Sequence, residues 1–265
     1  MHFYSFKTNF LPFCSLIVIF FVYLCIVQTQ IMAILNVTPD SFYAGSRIAD
    51  CEQLTDAAER ALAEGASILD VGACSTRPNS KPVSEAEEWR RLEPALQTLR
   101  SRLPEACLSI DTFRPEIARK AIQEFGPMII NDVSSGCEEM FDVVRKYTVP
   151  YIWTLRGDYD KLNQLKKLQG IELILDIGLG FTGGVDNDYA CLRAMDRLRR
   201  YNLPVLVGVS RKSMLYRLLE TTPEDCLSAT QVLHFYALQH GATILRVHDV
   251  HEARQTIALY EKIAQ

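Results

Sequence analysis

Residues 107–132 read CLSIDTFRPEIARKAIQEFGPMIIND, in which two short, mainly apolar runs flank one amphipathic segment. The runs Cys107–Asp111 and Met128–Asn131 have the length and composition of buried β-strands. Pro115 suits the first turn of a helix, and Gly126 suits the position just past a helix end. The stretch therefore predicts a strand, a helix over Pro115–Phe125 and a second strand.

The same alternation extends along the chain from residue 31. The predicted strands are Ile31–Asn36, Ser67–Gly72, Cys107–Asp111, Met128–Asn131, Pro150–Thr154, Ile171–Asp176, Pro204–Gly208 and Thr243–Val247. The predicted helices are Asp50–Glu64, Ser84–Arg102, Pro115–Phe125, Glu138–Tyr147, Asp158–Gln169, Asn187–Tyr201, Lys212–Gln239 (broken near Pro223) and Val250–Ala264. Ser84, with Glu87 three residues later, forms a capping box at the start of the second helix.

Eight alternating units favour one α/β architecture. The strands are apolar along most of their length, which is typical of a parallel sheet buried on both faces. Eight β/α units in roughly 235 residues match the TIM (β/α)8 barrel, which we predict for residues 31–265. A doubly wound sheet is the alternative, but no G-x-G-x-x-G motif follows the first strand.

The composition excludes several function classes. The 265 residues carry 28 Lys and Arg against 32 Asp and Glu, a net charge of −4, which argues against a nucleic-acid partner. A hydrophobic share of 48% and a charged share of 23% are ordinary globular values. The 8 cysteines form no Cys-x-x-Cys pair, so we expect reduced thiols in a cytoplasmic enzyme rather than a zinc site.

Residues 1–30 differ from the rest of the chain. Residues 10–27 form a mainly apolar run that is marginally long enough to span a bilayer, but only Lys7 precedes it as a charge. Three interpretations stay open: a membrane anchor, a plug beneath the barrel, or a segment outside the native fold that results from a wrongly chosen start. We consider the anchor less consistent with the sequence, because residues 28–30 leave little room between a bilayer and the first strand.

Polar residues collect at seven of the eight predicted strand ends. They include Asn36, Asp70, Asp111, Asn131, Asp176, Ser210-Arg211-Lys212 and Arg246-Val247-His248-Asp249. A single residue of this kind could be a turn former or a helix cap, as is plausible for Asp132, Ser134 and Asp249. Because the active site of a TIM barrel lies at the carboxyl ends of its strands, the whole set predicts a catalytic site there.

The residue types suggest the chemistry of the ligand. Arg246 and His248 share one face of a strand and, with Asn36, could hold a phosphate or diphosphate. The side chains of Asp111, Asn131 and Asp176 suit a flat heterocycle with N–H edges. Lys212 could face a ring carbonyl, and Phe181 and Trp153 could supply a flat wall.

Seven motifs in this order resemble dihydropteroate synthases: ILNVTPDSF, DVGxxSTRP, SIDT, IIND, LDIGxGF, GVSRKSM and RVHD. The resemblance covers residues 31 to about 264. The sequence FYAGSR at residues 42–47 is similar to the branch found in Bacteroides-type bacteria.

The resemblance implies an activity, a substrate pair and a set of roles. The family condenses (7,8-dihydropterin-6-yl)methyl diphosphate with 4-aminobenzoate in folate synthesis, releasing diphosphate. The implied pterin ligands are Asp111, Asn131, Asp176 and Lys212, and the implied diphosphate ligands are Asn36, Arg246 and His248, with Mg2+ at Asn36. The implied aminobenzoate ligands are Thr76, Arg77, Pro78, Phe181, Lys212 and Ser213. The catalytic set is Asp40 and Ser41, on a closing loop, with Lys212, Arg246 and His248; we also expect a homodimer.

The chain departs from the family at several points. Ile177 replaces a proline, Cys74 replaces an acidic or amide residue, and Asn79 replaces a glycine. The loop after the fifth strand lacks a His-Met pair, and residues 157–170 form an unusually short fifth connection. We therefore expect a shortened fifth β/α unit; a gap in the helical ring at this unit would expose apolar strand surface and favour association. Two other functions stay open: a pterin-binding methyltransferase barrel and a non-catalytic descendant of the synthase.

Overall fold

The computed structural model describes residues 29–37, 51–74 and 83–264, which form a closed barrel of parallel strands. The strands are β1 Gln30–Asn36, β2 Ile68–Gly72, β3 Leu108–Asp111, β4 Ile129–Asp132, β5 Tyr151–Thr154, β6 Leu173–Asp176, β7 Val205–Val207 and β8 Ile244–Val247. Each strand pairs with the next in sequence, and β8 pairs with β1. The predicted TIM barrel is confirmed.

Helices separate the strands as predicted, with differences in two units. The α-helices are α1 Cys51–Glu64, α2 Glu85–Arg102, α3 Pro115–Phe125, α4 Glu138–Tyr147, α5 Val185–Arg193, α6 Ser213–Leu218, α7 Leu227–Gln239 and α8 Val250–Ala264. Short 3₁₀ helices cover Tyr159–Leu168, Met195–Tyr201 and Glu224–Cys226. The Ser84 side chain accepts from the Glu87 N–H, which confirms the cap of α2. The single helix predicted over Asn187–Tyr201 is wrong, because α5 begins at Val185 and a 3₁₀ helix follows it.

The interior of the barrel has an apolar floor. It consists of Met32, Ile68, Ile129, Ile152, Ile174, Leu206 and Ile244, all of them buried. Side chains two positions apart on a strand point to the same side, so the next inward residue lies nearer the carboxyl end. That residue is polar on most strands: Asp70 after Ile68, Asn131 after Ile129, Thr154 after Ile152, Asp176 after Ile174 and Arg246 after Ile244. The strands thus carry a polar layer above an apolar one.

The fifth unit is closed rather than open. All of β5 is buried, and Leu162 and Leu168 of the following 3₁₀ helix are buried in the same core. A 3₁₀ helix rises about 2.0 Å per residue against about 1.5 Å in an α-helix, so a short segment can still cover the strand. The Lys161 ammonium group donates to Ser135 Oγ (2.7 Å) and to the Leu155 carbonyl (3.2 Å), which fastens this helix to the barrel. The shortened fifth unit therefore leaves no gap over β5 in the part of the helical ring that the structure describes.

The first strand begins one residue earlier than predicted. Gln30 pairs in register with Ile244 of β8, and its N–H donates to the Thr243 carbonyl at 2.8 Å. The apolar run at residues 10–27 lies outside the described residues, so the three interpretations of residues 1–30 stay predictions. None of the helices in the described ranges is long and apolar enough to cross a membrane.

Candidate active site

Register places four of the strand-end residues in one ring at the mouth of the barrel. Asn36 pairs with Gly72, Gly72 with Asp111, and Asp111 with Asn131. A Cβ atom at Gly72 would lie 3.5 Å from Asn36 Oδ1 and 3.5 Å from the Asp111 Cβ. Because Gly72 has no side chain, Asn36 and Asp111 face the same space above it.

Arg246 joins opposite sides of this mouth. Its Nε donates to Asp70 Oδ2 at 2.6 Å, and its Nη2 donates to Asp111 Oδ2 at 2.8 Å. Asp70 Oδ2 also accepts from Asn131 Nδ2 at 3.0 Å. Side chains of β2, β3, β4 and β8 therefore form one hydrogen-bonded cluster, which we call the carboxylate cluster: Asp70, Asp111, Asn131 and Arg246.

Three acceptor atoms of the carboxylate cluster are left open. Asp70 Oδ1, Asp111 Oδ1 and Asn131 Oδ1 are buried and have no hydrogen-bond partner among the described residues. Buried polar atoms in proteins are almost always paired, and an unpaired one costs free energy. A ligand that presents several N–H donors would satisfy these atoms.

Burial shapes the electrostatics of the cluster. Burial raises the pKa of Asp111 to about 7, although the Arg246 guanidinium opposes the shift; the neighbouring Asp70 carboxylate adds to it. Burial also disfavours the charged form of Arg246, but the carboxylates of Asp70 and Asp111 outweigh this and raise its pKa. Arg246 therefore stays charged, and Asp111 changes its charge near neutral pH.

Asp176 lies on the β6 side of the mouth. Its Oδ1 accepts from the Gly178 N–H at 2.9 Å, and its Oδ2 lies 3.4 Å from Thr154 Oγ1. Gly178 has φ 78°, and a Cβ atom there would lie 2.6 Å from the Arg156 nitrogen, so the turn that holds Asp176 requires glycine. Burial raises the pKa of Asp176, and the Lys212 charge opposes that rise.

Lys212 approaches the mouth from the loop after β7. Its ammonium group donates to the Leu179 carbonyl and lies 5.3 Å from the centroid of the Phe181 ring. A Cβ atom at Gly208 would lie 3.8 Å from Lys212 Nζ and 3.7 Å from the Arg246 Cβ. The lysine is therefore positioned between the aromatic ring and the carboxylate cluster.

The loops after β7 and β8 are fastened together. Arg211 donates to both carboxylate oxygens of Asp249, at 2.8 and 2.9 Å, and the His248 N–H donates to Ser210 Oγ at 3.2 Å. One loop carries Lys212 and the other follows Arg246. The two cations are thus held in a fixed relation.

Comparisons with known proteins agree with this geometry. The sequence model of the family described as "Pterin binding enzyme" matches residues 32–169 and 154–248. The dihydropteroate synthase of Streptococcus pyogenes serotype M6 is 33% identical over 257 residues, which cover 89% of this chain and 96% of the relative. The chain belongs to the dihydropteroate synthase family.

Solved structures of the dihydropteroate synthase family share the fold. The Yersinia pestis enzyme, in a sulfonamide drug complex, superimposes with a TM-score of 0.82 at 30% identity, covering 90% of this chain and 95% of that one. The Coxiella burnetii enzyme, in complex with pteroic acid, gives a TM-score of 0.80 at 29% identity, covering 89% and 94%.

The predicted family residues divide into two groups. The structure brings Asp111, Asn131 and Arg246 into direct contact or close register, and Asn36 and Asp111 border the same space above Gly72. Lys212 lies beside Phe181, and Asp176, His248 and Ser213 lie at or just after strand ends. The other predicted residues lie outside the described ranges: Asp40, Ser41, Thr76, Arg77 and Pro78. The segment that resembles the Bacteroides-type branch of the family, residues 42–47, lies outside them as well.

One sequence expectation was wrong, and one strand-end residue has contacts that the sequence analysis did not assign to it. Trp153 does not line the mouth, because it is adjacent to the inward-pointing Ile152 and faces the outer core, where its Nε1 donates to the Ser135 carbonyl at 2.8 Å. Asp70 is fully buried at the centre of the carboxylate cluster; the sequence placed it at a strand end but assigned it no individual role. Its position two residues after Ile68 was the available signal, since it predicts an inward-facing carboxylate.

Asn36 offers one oxygen donor of the kind that the Mg2+ implied by the family resemblance would use. The described residues contain no cluster of three or more His, Cys, Asp or Glu side chains that could hold a metal ion. The Asn36 amide oxygen and the Asp111 side chain both lie next to the space above Gly72. Mg2+ prefers oxygen ligands and commonly combines one or two protein oxygens with substrate phosphates and water.

Proposed function

We propose that this chain is a dihydropteroate synthase that joins (7,8-dihydropterin-6-yl)methyl diphosphate to 4-aminobenzoate and releases diphosphate. The observation that carries the proposal is the pair of open, buried acceptors on Asp111 and Asn131 above an apolar floor. A reduced pterin is flat and presents amino and ring N–H groups along its edge. Such a ring can lie on the apolar floor while its edge donates to the acceptors.

The pterin ligands in this proposal are Asp111, Asn131, Asp176 and Lys212. Asp111 and Asn131 supply the open acceptors, and Asp176 adds a carboxylate from the opposite side of the mouth. Lys212 supplies a cation for the ring carbonyl. The fixed positions of these groups orient the 6-methylene carbon toward the loops that follow β7 and β8.

Arg246 can serve both the carboxylate cluster and the diphosphate. A guanidinium group has more N–H donors than the two that Arg246 directs to Asp70 and Asp111. Its side chain is 19% exposed, which supports access to the guanidinium group from the mouth. With Asn36 and His248, it is proposed to bind the diphosphate oxygens.

The chemistry requires charge stabilisation more than a strong base. The bond between the methylene carbon and the diphosphate oxygen breaks, and its electron pair leaves with the diphosphate. Arg246, His248 and Lys212 stabilise that charge. The neutral amine of 4-aminobenzoate then forms the new C–N bond, and its proton passes to the departing diphosphate or to water.

The second substrate and the remaining catalytic groups are assigned by resemblance. The proposed aminobenzoate side is formed by Thr76, Arg77, Pro78, Phe181, Lys212 and Ser213. Lys212 lies over Phe181 in the structure, which supports a flat, positively charged wall for an aromatic carboxylate. Asp40 and Ser41 are proposed to close over the site.

Mg2+ is proposed to bind Asn36 together with the diphosphate. When bound, the ion would neutralise charge on the leaving group. The Asn36 amide oxygen would hold the ion on the β1 side, while Arg246 holds the diphosphate from β8.

A homodimer in the cytoplasm is the proposed assembly and location. Val232 on α7 and Leu259 and Ile263 on α8 are exposed apolar residues, which supports association through this face. Light scattering of the wild type and of Leu259→Lys tests the dimer. Cell fractionation of the full chain distinguishes the cytoplasm from anchoring by residues 10–27.

The test of the function is diphosphate release that depends on added 4-aminobenzoate. Full-length protein should release diphosphate from the pterin substrate only when the amine is present. Asp111→Asn is the matched control, because it preserves the shape of the side chain and removes its charge. Release that is independent of 4-aminobenzoate, or equal in the variant, would contradict the proposal; methyl transfer from a methyl-pterin instead would support the alternative barrel enzyme.

A further inference from the structure

Asp70 is a buried carboxylate that packing within the barrel does not explain. It pairs in register with Ile34 of β1 on one side and with Ser109 of β3 on the other, and it is fully buried. Burying a carboxylate carries a large desolvation cost, and an apolar residue of similar volume is often as good for stability. Its presence in this layer therefore calls for an explanation other than packing.

The contacts of Asp70 supply that explanation. A single oxygen, Oδ2, accepts from Asn131 Nδ2 at 3.0 Å and from Arg246 Nε at 2.6 Å. Asn131 is proposed to hold the pterin, and Arg246 is proposed to hold the diphosphate. One carboxylate on β2 thus touches a ligand of each half of the first substrate.

We propose that Asp70 is a positioning residue that orients Asn131 and Arg246 together, an inference that rests on the proposed function. An asparagine amide has a donor end and an acceptor end, and rotation by about 180° exchanges them. The bond to Asp70 holds the NH2 end inside the protein, which leaves Asn131 Oδ1 as the open acceptor. Without Asp70 the NH2 group can turn toward the ligand and oppose the donor edge of the pterin.

The same carboxylate fixes the plane of the Arg246 guanidinium. The hydrogen bonds from Nε to Asp70 and from Nη2 to Asp111 hold the planar guanidinium group at two of its nitrogens. The directions of its remaining N–H donors are therefore fixed as well. The binding sites for the pterin and the diphosphate are consequently coupled through Asp70, which itself need not touch the reacting atoms.

The experiment compares Asp70→Asn with Asn131→Ala and Ser109→Ala by calorimetry. The probes are a dihydropterin without diphosphate and, separately, inorganic diphosphate with Mg2+. Asp70→Asn should weaken the binding of both probes by about tenfold or more, the usual effect of losing a hydrogen bond to a charged group. Asn131→Ala should weaken only the pterin. Ser109→Ala alters the neighbouring buried position, where Ser109 Oγ has no hydrogen-bond partner among the described residues, and should change neither.

Double variants separate positioning from general damage. In an Asn131→Ala background, Asp70→Asn should have little further effect on pterin binding while it still weakens diphosphate binding. Effects on pterin that add fully, or binding of both probes within twofold of the wild type in folded Asp70→Asn, would overturn the proposal. Wild-type protein that binds neither probe would instead refute the proposed function.

A second measurement applies if Asp70→Asn does not fold. The side-chain NH2 signals of Asn131 in wild-type protein, assigned by comparison with Asn131→Ala, should include one hydrogen that exchanges slowly with solvent. Rapid exchange of both hydrogens would show that the Asn131 amide is not held, and would overturn the proposal.

Discussion

Replacement of Arg246 by methionine should destabilise the protein in a manner that depends on pH. The substitution preserves much of the side-chain volume but removes the ion pairs with Asp70 and Asp111 at 2.6 and 2.8 Å. Breaking a buried ion pair costs about 3–5 kcal/mol, because the partner remains as an uncompensated buried charge. We expect a loss of this size in the free energy of unfolding at about pH 8.

The loss should become smaller in acid. Burial raises the pKa of Asp111 to about 7 in the folded wild type, above the ordinary aspartate value of 3.8, so the folded state binds a proton more readily and stability rises as the pH falls. Between about pH 8 and about pH 6 this contributes about 1.4 kcal/mol in the wild type. Without Arg246 the pKa of Asp111 rises further; once it exceeds about 9, the contribution over the same range is about 2.7 kcal/mol.

Urea unfolding of both proteins at the two pH values measures this difference. The destabilisation caused by Arg246→Met should be about 1.3 kcal/mol smaller at about pH 6 than at about pH 8. Arg246→Lys is the matched control, because it keeps the charge but loses the planar fork, and it should show a smaller loss with less dependence on pH. A loss that is equal at both pH values, or below about 1 kcal/mol throughout, would refute the reasoning.

Four further outcomes are expected. Lys212→Ala should weaken both substrates by about tenfold or more, since the lysine lies between Phe181 and the carboxylate cluster; steady-state kinetics would contradict this if only one KM changed. Pterin affinity measured by calorimetry should fall about tenfold from about pH 8 to about pH 6, because Asp111 must be ionised to accept hydrogen bonds from the pterin N–H groups. Asp111→Asn should abolish this dependence on pH. Burial lowers the pKa of His234 to about 3, so keeping the folded-state imidazole neutral at about pH 5 costs about 2 kcal/mol of stability. Between neutral pH and about pH 5, the free energy of unfolding measured in urea should therefore fall by about 2 kcal/mol less in His234→Leu than in the wild type. Removal of residues 1–28 should leave activity per folded molecule unchanged. Removal through Gln30 also deletes a pairing with Ile244 of β8, so this shorter chain should be less stable. Equal midpoints of thermal unfolding for the two truncated chains would contradict this expectation.

The sequence was sufficient for the barrel because local patterns specify it. The strands are short apolar runs, and helix signals such as Pro115 and Ser84 lie where the structure has helix starts. The fifth unit was harder to predict, because a period of apolar residues does not distinguish a 3₁₀ helix from an α-helix over ten residues. The concern about a gap followed from the shortness of residues 157–170 relative to the family.

The site was predictable only in part, for a different reason. Strand ends identify which side chains gather at the mouth, so Asp111, Asn131 and Arg246 could be named from the sequence. Their partners could not, since Arg246 and Asp70 lie 176 positions apart and meet only when the barrel closes. Trp153 was misplaced because a strand buried on both faces gives no alternation from which to predict the inward side.

A crystal structure with a bound dihydropterin tests the central claim most directly. The account predicts that the ring lies above the apolar floor of the barrel, with its N–H groups within hydrogen-bond distance of Asp111 Oδ1 and Asn131 Oδ1 and with Asp70 Oδ2 still bound to Asn131 and Arg246. A pterin bound elsewhere, or one in the mouth with these oxygens unoccupied, would contradict it.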